Sequence, residues 1–164
     1  MLEGLVILDL KRFEDERGFL YESFNQDKLK NALKDIYFVQ DNVAFTDKKF
    51  TFRGLHQQSG EFGQGKLVSV VSGSILDIVV DIRPESKTFG EHYHIVLNDE
   101  NNLQFFIPEG FLHGYLTMTD ETLVIYKTTR VYSPQREIGV NIFDDSLKIE
   151  LPCSKDEVIL SSKD

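Results

Sequence analysis

Cysteine is nearly absent from this chain, with Cys153 alone among 164 residues, and tryptophan is missing altogether. A lone cysteine excludes an internal disulfide and a metal site of the CxxC type. Long apolar runs are missing too, since none approaches the ~20 residues that span a bilayer. The N-terminus has neither the basic start nor the apolar stretch of a secretory signal peptide. These absences predict a cytoplasmic protein that does not enter a membrane.

Basic residues are scarce as well. Lysine and arginine number 18 against 27 acidic residues, which gives a net charge of −9. Because nucleic-acid phosphates require a basic surface, we expect no binding of nucleic acid. Several cations fall within apolar or glycine-rich segments, which suits a small anionic ligand; they are Arg17, Arg53, Lys66, Arg83 and Lys163. For Arg83, pairing with nearby Asp77 or Asp81 is the better interpretation.

Short apolar segments rich in β-branched residues recur along the chain and predict an all-β fold. The predicted strands are 66–71, 74–82, 92–97, 103–107, 111–117 and 123–128. Turn residues separate them, and this regular spacing is typical of a sandwich or barrel. One short helix is predicted near the N-terminus at 26–36, with Leu29, Leu33 and Ile36 on one face. No repeat or linker interrupts the chain, so residues 1–164 are predicted to form a single domain.

Strand alternation sorts the polar side chains by face. Tyr126 shares a face with Val124 and Thr128, whereas Lys127 points the opposite way. Arg53 and His56 are three positions apart, so an ideal strand would place them on opposite faces. A bulge or bend at the intervening glycine would bring both to one side.

His56 and Lys66 indicate proton chemistry. If the segments around them pair as a hairpin, the two side chains stand together at its open end. A histidine base beside an ammonium suits removal of a proton next to a carbonyl, because the cation stabilises the developing enolate oxygen. The alternative is a structural histidine and a solvated surface lysine.

A tight corner places another histidine at the start of a strand. Pro108 and Gly110 form the corner before His113, and barrels of the cupin class carry such an element, often with the histidine on a metal. His92 and His94 would add two imidazoles on one strand face, but the usual carboxylate a few residues later is missing. We therefore expect no metal, an exposed or interface position for His92 and His94, and a ligand or phosphate contact for His113.

A series of motifs runs through the chain in a fixed order. Among them are Asp15-Glu16-Arg17-Gly18-Phe19, Arg53-Gly54-Leu55-His56, Gly65-Lys66-Leu67-Val68, Val80-Asp81-Ile82-Arg83, Ile107-Pro108-Glu109-Gly110-Phe111, Tyr126-Lys127, and Leu160-Ser161 with Lys163-Asp164. With these motifs the chain resembles the dTDP-4-dehydrorhamnose 3,5-epimerases from about residue 4 to residue 164. The resemblance implies a cupin-type antiparallel β-barrel (jelly roll), a homodimer and no cofactor. It also implies a nucleotide-linked 4-keto-6-deoxyhexose as substrate, in the biosynthesis of dTDP-rhamnose and cell-surface polysaccharide.

The resemblance also implies roles for individual residues. His56 would be the general base and Asp164 its orienting partner, Tyr126 would be the acid on the opposite face of the sugar ring, and Lys66 would stabilise the enolate at oxygen 4. The implied contacts to substrate are Arg17, Glu22, Gln40, Asn42, Arg53, His113, Glu137 and Lys163. The implied dimer exchanges N-terminal strands, which places residues 5–10 at or near the interface.

The chain departs from the family pattern in two respects. Gln57 follows His56 where the family usually has an aromatic residue, and the usual tryptophans are missing. These departures leave open an epimerase acting at one carbon, or a ketoisomerase on a related nucleotide sugar. Two other classes remain as alternatives: a metal-dependent cupin oxygenase or isomerase using His92, His94 and His113, and a sugar-binding barrel without catalysis.

Overall fold

Twelve β-strands make up two five-stranded sheets and a separate hairpin in the computed structural model, which describes residues 1–163. The first sheet has the spatial order β1 (Val6–Asp9), β9 (Leu103–Ile107), β6 (Lys66–Ser72), β11 (Thr122–Thr128), β4 (Gln40–Thr46). The second has the order β12 (Glu137–Gly139), β5 (Phe52–Gln58), β10 (Phe111–Thr117), β7 (Ser74–Asp81), β8 (His92–Asn98). The hairpin pairs β2 (Arg12–Asp15) with β3 (Gly18–Tyr21). The ladders between these strands are antiparallel, and the predicted cupin-type jelly roll is confirmed.

The regular spacing of apolar segments predicted half of the strands. Each of the six predicted segments is a strand, with ends within a residue of those expected. The strands β1 to β5 and β12 were not predicted from spacing. Most of them are short or charged, as in the sequence Arg-Phe-Glu-Asp of β2, so they carry little alternation for a pattern to detect.

The hydrophobic core lies between the two sheets. Val68 on β6 and Val124 on β11 face inward from the first sheet, and Ile75 and Val79 on β7 face inward from the second. All four are fully buried. Burial of an aliphatic side chain of this size contributes roughly 1.5–3 kcal/mol. The inward row of β11 continues from Val124 to Tyr126, as alternation predicted.

A short helix covers the outer face of the first sheet. It spans Gln26–Ala32 and begins at Asn25, whose side chain accepts hydrogen bonds from the first-turn N–H groups. Leu29 and Leu33 pack against this sheet, as predicted. The predicted extension to residue 36 is wrong, because Leu33 has left helical geometry at φ −124° and ψ 77°. Ile36 still packs on the same cluster from the following loop.

The C-terminal segment covers the outer face of the second sheet. Leu55 of β5 and Leu112 of β10 are buried there beneath side chains that include Leu151 and Leu160. The last fifth of the chain therefore closes a second apolar layer behind the strands that carry His56. No helix among the described residues is long and apolar enough to cross a membrane.

The predicted hairpin between His56 and Lys66 is wrong. Strand β5 pairs with β10 and β12 in the second sheet, whereas β6 pairs with β9 and β11 in the first. The connection over residues 59–65 crosses from one sheet to the other and includes a short 3₁₀ turn at Gly60–Phe62. It is longer than the two to five residues typical of a hairpin loop, which leaves the chain free to change sheets.

A buried carboxylate organises the loop between β7 and β8. Asp81 accepts hydrogen bonds from the Arg83 side chain at 2.7 and 2.9 Å, from Ser86 at 2.6 Å and from Thr88 at 2.6 Å. Burial alone would raise the pKa of Asp81, but these hydrogen bonds outweigh it and hold the pKa well below its ordinary value. The sequence interpretation that Arg83 pairs with a nearby aspartate is therefore confirmed.

Replacing this carboxylate with an amide tests its contribution to stability. We expect Asp81→Asn to lower the free energy of unfolding by about 3 kcal/mol, because it removes one partner of a buried ion pair. The contribution is present above the ordinary carboxyl pKa of 3.8 and decreases as the pH falls below it, since the folded-state pKa is depressed. Urea denaturation measures the effect, with Asp145→Asn at an exposed position as the control. Equal stability of the two variants would contradict the predicted contribution of Asp81.

Candidate active site

A cavity of about 410 Å³ opens between the two sheets. Beyond the apolar core, the inward rows of several strands change from aliphatic to polar side chains, and these line the cavity. Nine of the twelve site residues predicted from the resemblance lie there: Gln40, Asn42, Arg53, His56, Lys66, His113, Tyr126, Glu137 and Lys163. Asp164 is outside the described residues. Arg17 and Glu22 do not line this cavity.

A close approach of two glycines places Arg53 and His56 on the same side of β5. Gly54 has φ +124°, and a Cβ there would lie 2.5 Å from the Gly114 Cα on β10. The ladder between the strands shifts register at this point, so that His56 faces His113 and Arg53 faces Tyr115. Both Arg53 and His56 therefore reach the cavity, which confirms the bend predicted at Gly54.

The His56 ring sits against the short strand β12. Its Nδ1 lies 3.5 Å from Oε1 of Glu137, and a quarter of its side chain is exposed. Gly139, opposite His56 in the ladder, leaves room for the ring, since a Cβ there would lie 2.9 Å from His56 Cδ2. The other carboxylate oxygen of Glu137 accepts a hydrogen bond from the Tyr132 hydroxyl at 2.6 Å. Glu137 therefore lies between a phenol and the imidazole.

Tyr126 faces the same cavity from the opposite sheet. It lies on β11, between Asn42 of β4 and Val68 of β6. Burial raises the pKa of its phenol, although the positive charge of Arg53 opposes this effect. A phenol with a raised pKa keeps its proton near neutral pH and can act as a proton donor. His56 and Tyr126 can therefore contact opposite sides of a ring bound between the sheets.

Lys66 stands in front of a buried histidine–aspartate pair. Its Nζ lies 3.5 Å from Nδ1 of His113, whose Nε2 lies 2.9 and 3.1 Å from the two carboxylate oxygens of Asp77. Asp77 is fully buried and His113 is 7% exposed. Burial lowers the pKa of Lys66 to about 8, although the carboxylates of Asp77 and Glu137 oppose this. The ammonium form therefore predominates at neutral pH and can stabilise a developing oxyanion.

The role predicted for His113, a ligand or phosphate contact, stays a prediction, and its ring lines the cavity. Its Nε2 is engaged by Asp77 and its Nδ1 faces Lys66. Burial lowers the pKa of the His113 ring, and Lys66 lowers it further against the opposing effect of Asp77. The imidazole is therefore a buried ring that lies between Lys66 and Asp77.

Other polar residues fix the cavity wall formed by β4. The Arg53 guanidinium donates to Thr46 at 3.0 Å and to the Phe45 carbonyl at 3.1 Å. Gln40 donates to Asn42 at 2.8 Å and accepts from the Tyr132 backbone at 3.0 Å. These contacts hold one cation and two amides in place along the opening.

Sequence reasoning missed several residues that line the cavity; they include Gln58, Gln64, Tyr115, Thr128 and Tyr132. Two of them had a detectable signal. Tyr115 follows His113 by two positions on a strand and so shares its face. Tyr132 begins a Tyr-Ser-Pro turn after β11, and this turn is its signal in the sequence. Its contact with Glu137 is visible only in the structure.

Arg17 and Glu22 lie at the hairpin instead. Arg17 pairs with Asp15 of the same hairpin, and 84% of its side chain is exposed. Glu22 follows β3 and pairs with Lys28 at 2.8 Å. Within one chain, neither residue meets the cavity that contains His56.

His92 and His94 lie on the edge strand β8. Their rings are nearly parallel, with centroids 6.3 Å apart, and His94 is exposed, as expected. Neither lines the cavity that His113 borders. Across residues 1–163, no three or more His, Cys, Asp or Glu side chains are grouped to hold a metal ion. The ligand set considered for a metal-dependent cupin is therefore not brought together.

Comparison with known proteins agrees with this geometry. The family model for dTDP-4-dehydrorhamnose 3,5-epimerase matches residues 1–164. The enzyme of that name from Methanothermobacter thermautotrophicus is 42% identical over 99% of this chain and 88% of its own. The Legionella pneumophila dTDP-6-deoxy-D-glucose-3,5-epimerase, solved with dTDP-4-keto-L-rhamnose, superposes with a TM-score of 0.91 at 42% identity, covering 97% of this chain and 84% of its own. The Bacillus anthracis dTDP-4-dehydrorhamnose 3,5-epimerase was solved with TDP and pyrophosphate. It superposes with a TM-score of 0.94 at 38% identity, covering 98% of this chain and 90% of its own.

The family model matches the whole chain, relatives exceed 40% identity and the fold is shared. The cavity carries His56 and Tyr126 on opposite walls. The chain therefore belongs to the dTDP-4-dehydrorhamnose 3,5-epimerase family of sugar-nucleotide isomerases.

Proposed function

We propose that this epimerase inverts carbons 3 and 5 of a dTDP-linked 4-keto-6-deoxyhexose by proton removal on one face and proton return on the other. The observation that carries the proposal is the placement of His56 and Tyr126 on opposite walls of one cavity. Carbons 3 and 5 flank the ketone, so their protons are acidified by the same carbonyl. One base and one acid across the ring can therefore serve both positions.

His56 is the proposed base. In the first step its neutral ring takes the proton from the carbon next to the ketone, and the electron pair moves to oxygen 4 as an enolate. The imidazolium that forms gains from nearby carboxylates. Glu137 lies 3.5 Å from Nδ1, and Asp164 is the proposed dyad partner on the strength of the family motif.

Lys66 is the proposed enolate stabiliser. Its ammonium lies in the cavity wall, where it can stabilise a negative oxygen of a bound ring. Removal of one such donor typically costs about 3–4 kcal/mol in the transition state. Tyr126 then donates its proton to the opposite face of the carbon, which completes the inversion.

The nucleotide and diphosphate are proposed to occupy the polar opening of the cavity. Arg53 and Lys163 supply cations there, while Gln40, Asn42 and Glu137 supply hydrogen-bonding groups. These charges explain how a protein with a net charge of −9 can bind a dianion. The cytoplasmic location expected from the sequence stays a prediction.

Arg17 and Glu22 fit the proposal if the enzyme is a homodimer, with the hairpin of one copy reaching the cavity of the other. Exposed apolar side chains support such an interface. They lie on the hairpin and on the outward face of β4: Phe13, Phe19, Leu20, Val43 and Phe45, each at least half exposed. Strand β1, within the predicted interface segment 5–10, forms one edge of the first sheet. An edge of this kind needs to be covered.

Incubation with dTDP-4-keto-6-deoxyglucose in D₂O, followed by NMR, tests the activity. We expect deuterium at carbons 3 and 5 together with formation of the L-rhamno product. No exchange at either carbon would overturn the proposed function.

Tyr126→Phe separates the two proton transfers. The variant keeps the base and the enolate stabiliser, so the enolate still forms and is reprotonated by His56 on its original face. We expect deuterium exchange to remain and inversion to fall by about 10²–10⁴-fold, whereas His56→Ala loses both. Tyr93→Phe on β8, outside the cavity lining, serves as the control. Inversion by Tyr126→Phe at the wild-type rate would show that another group supplies the proton.

The proposed role of Asp164 is tested by Asp164→Asn. An amide cannot carry the charge that stabilises the His56 imidazolium, so we expect turnover to fall by about two orders of magnitude or more. Deletion of the residue should have the same effect with the thermal unfolding temperature unchanged. Full activity of either variant would indicate that Glu137 or another group performs this task.

The proposed dimer is tested at β4. Light scattering at micromolar concentration should report a dimer for the wild type. We expect Val43→Glu to shift it toward monomer and to lower turnover, because a buried charge without a partner disfavours the interface. Val96→Glu places the same charge on β8, where the valine is also exposed, and should leave the dimer intact. A monomeric wild type would contradict the proposal.

A further inference from the structure

A lysine that stabilises an enolate does not by itself require a buried histidine–aspartate pair beside it, yet Lys66 has one. Asp77 lies on a central strand of the second sheet and is fully buried. Within residues 1–163 its carboxylate is hydrogen-bonded by a single side chain, that of His113. An isolated carboxylate in such a place is costly, so its charge requires a counterpart nearby.

The hydrogen bonds determine which nitrogen of His113 carries the proton. A carboxylate accepts, so Nε2 donates its hydrogen to Asp77. In the neutral ring Nδ1 is then an acceptor, and its lone pair faces the Lys66 ammonium at 3.5 Å. The opposite tautomer would point an N–H at a cation and leave the carboxylate without a donor.

The charges in this row balance. A negative carboxylate and a positive ammonium are separated by a neutral imidazole, so the buried group has no net charge. The other ionisable side chains around the cavity are Arg53, His56, Tyr115, Tyr126, Tyr132, Glu137 and Lys163. Of these, Glu137 also favours the charged form of Lys66, and burial of the amine opposes it.

We propose that Asp77 and His113 are positioning residues for the reaction: through the His113 ring, the Asp77 carboxylate aims the Lys66 ammonium at the cavity and keeps it charged at neutral pH. The proposal rests on the proposed role of Lys66. Asp77 does not need to touch the substrate, because it acts through His113 and the lysine. A purely structural pair would stabilise the fold and leave the titration of Lys66 alone.

The consequence is a defined alkaline limit to activity. As the pH rises through about 8, Lys66 loses its proton and the oxyanion loses its cation. Because the pKa of Tyr126 is raised, its phenol loses the proton only at higher pH. Without the Asp77 charge, less opposes the effect of burial on the pKa of Lys66. The pKa falls further, so the amine loses its proton at lower pH.

The test compares kcat/KM from about pH 6 to about pH 10 for the wild type, Asp77→Asn and Asp81→Asn. Asp81 is the matched control, because it is another fully buried carboxylate on β7, but its partners are Arg83, Ser86 and Thr88. Assays run at a temperature where circular dichroism shows all three to be folded. We expect the alkaline midpoint of Asp77→Asn to fall by about one pH unit, with activity largely recovered at low pH. We expect Asp81→Asn to keep the wild-type midpoint. A folded Asp77→Asn with the wild-type midpoint would overturn the proposal.

A measurement on the wild type needs neither a folded variant nor turnover. Nitrogen-15 NMR of the histidine side chains should show His113 as the neutral Nε2–H tautomer across the same pH range. An imidazolium or an Nδ1–H tautomer near neutral pH would overturn the proposal. Failure of the wild type to exchange deuterium into the keto sugar would instead overturn the proposed function, and the tautomer would still be read independently.

Discussion

Face-to-face packing of two antiparallel sheets is the constraint on which the rest of this structure depends. Alternate side chains of each strand point inward, so one row supplies both the core and the cavity. On β11 the inward row runs from buried Val124 to Tyr126, and on β6 it runs from Val68 back to Lys66. The apolar part of each row fixes its register, because a slip of one residue would expose the core. The polar part is thereby held in register, and its own hydrogen bonds then orient the side chains.

The chain crosses from one sheet to the other between β5 and β6, and this crossing forms the site. Two neighbouring strands of one hairpin would place His56 and Lys66 on the same wall. Because residues 59–65 carry the chain to the other sheet, His56 lies on one wall while Lys66 and Tyr126 lie on the facing one. A ring bound between the sheets can then meet His56 on one side and Tyr126 on the other. The close approach of Gly54 to Gly114 completes the arrangement by adding Arg53 to the wall that carries His56.

Charge within the cavity is arranged differently from charge over the whole chain. The protein is acidic, yet Arg53, Lys66 and Lys163 line one cavity, with Glu137 among them. Burial lowers the pKa of Lys66 to about 8, and the carboxylates of Asp77 and Glu137 oppose that effect. Asp81 shows the contrasting case on the same strand, where a buried carboxylate is satisfied by Arg83 and two hydroxyls and serves the fold.

The sequence by itself determined what depends on near neighbours along the chain. The recurrence of short apolar segments located six strands, and strand alternation gave the inward face of Tyr126. Spacing of three and four residues located the buried face of the helix, and the motif order indicated the family and nine residues of the cavity. Tertiary structure decided the rest. It separated His56 from Lys66 across two sheets, assigned His113 to Asp77 and Lys66, and left Arg17 and Glu22 at the hairpin outside the cavity. These outcomes depend on which strand edges pair across long stretches of chain. A local sequence pattern does not specify that pairing, because every antiparallel edge offers the same hydrogen bonds.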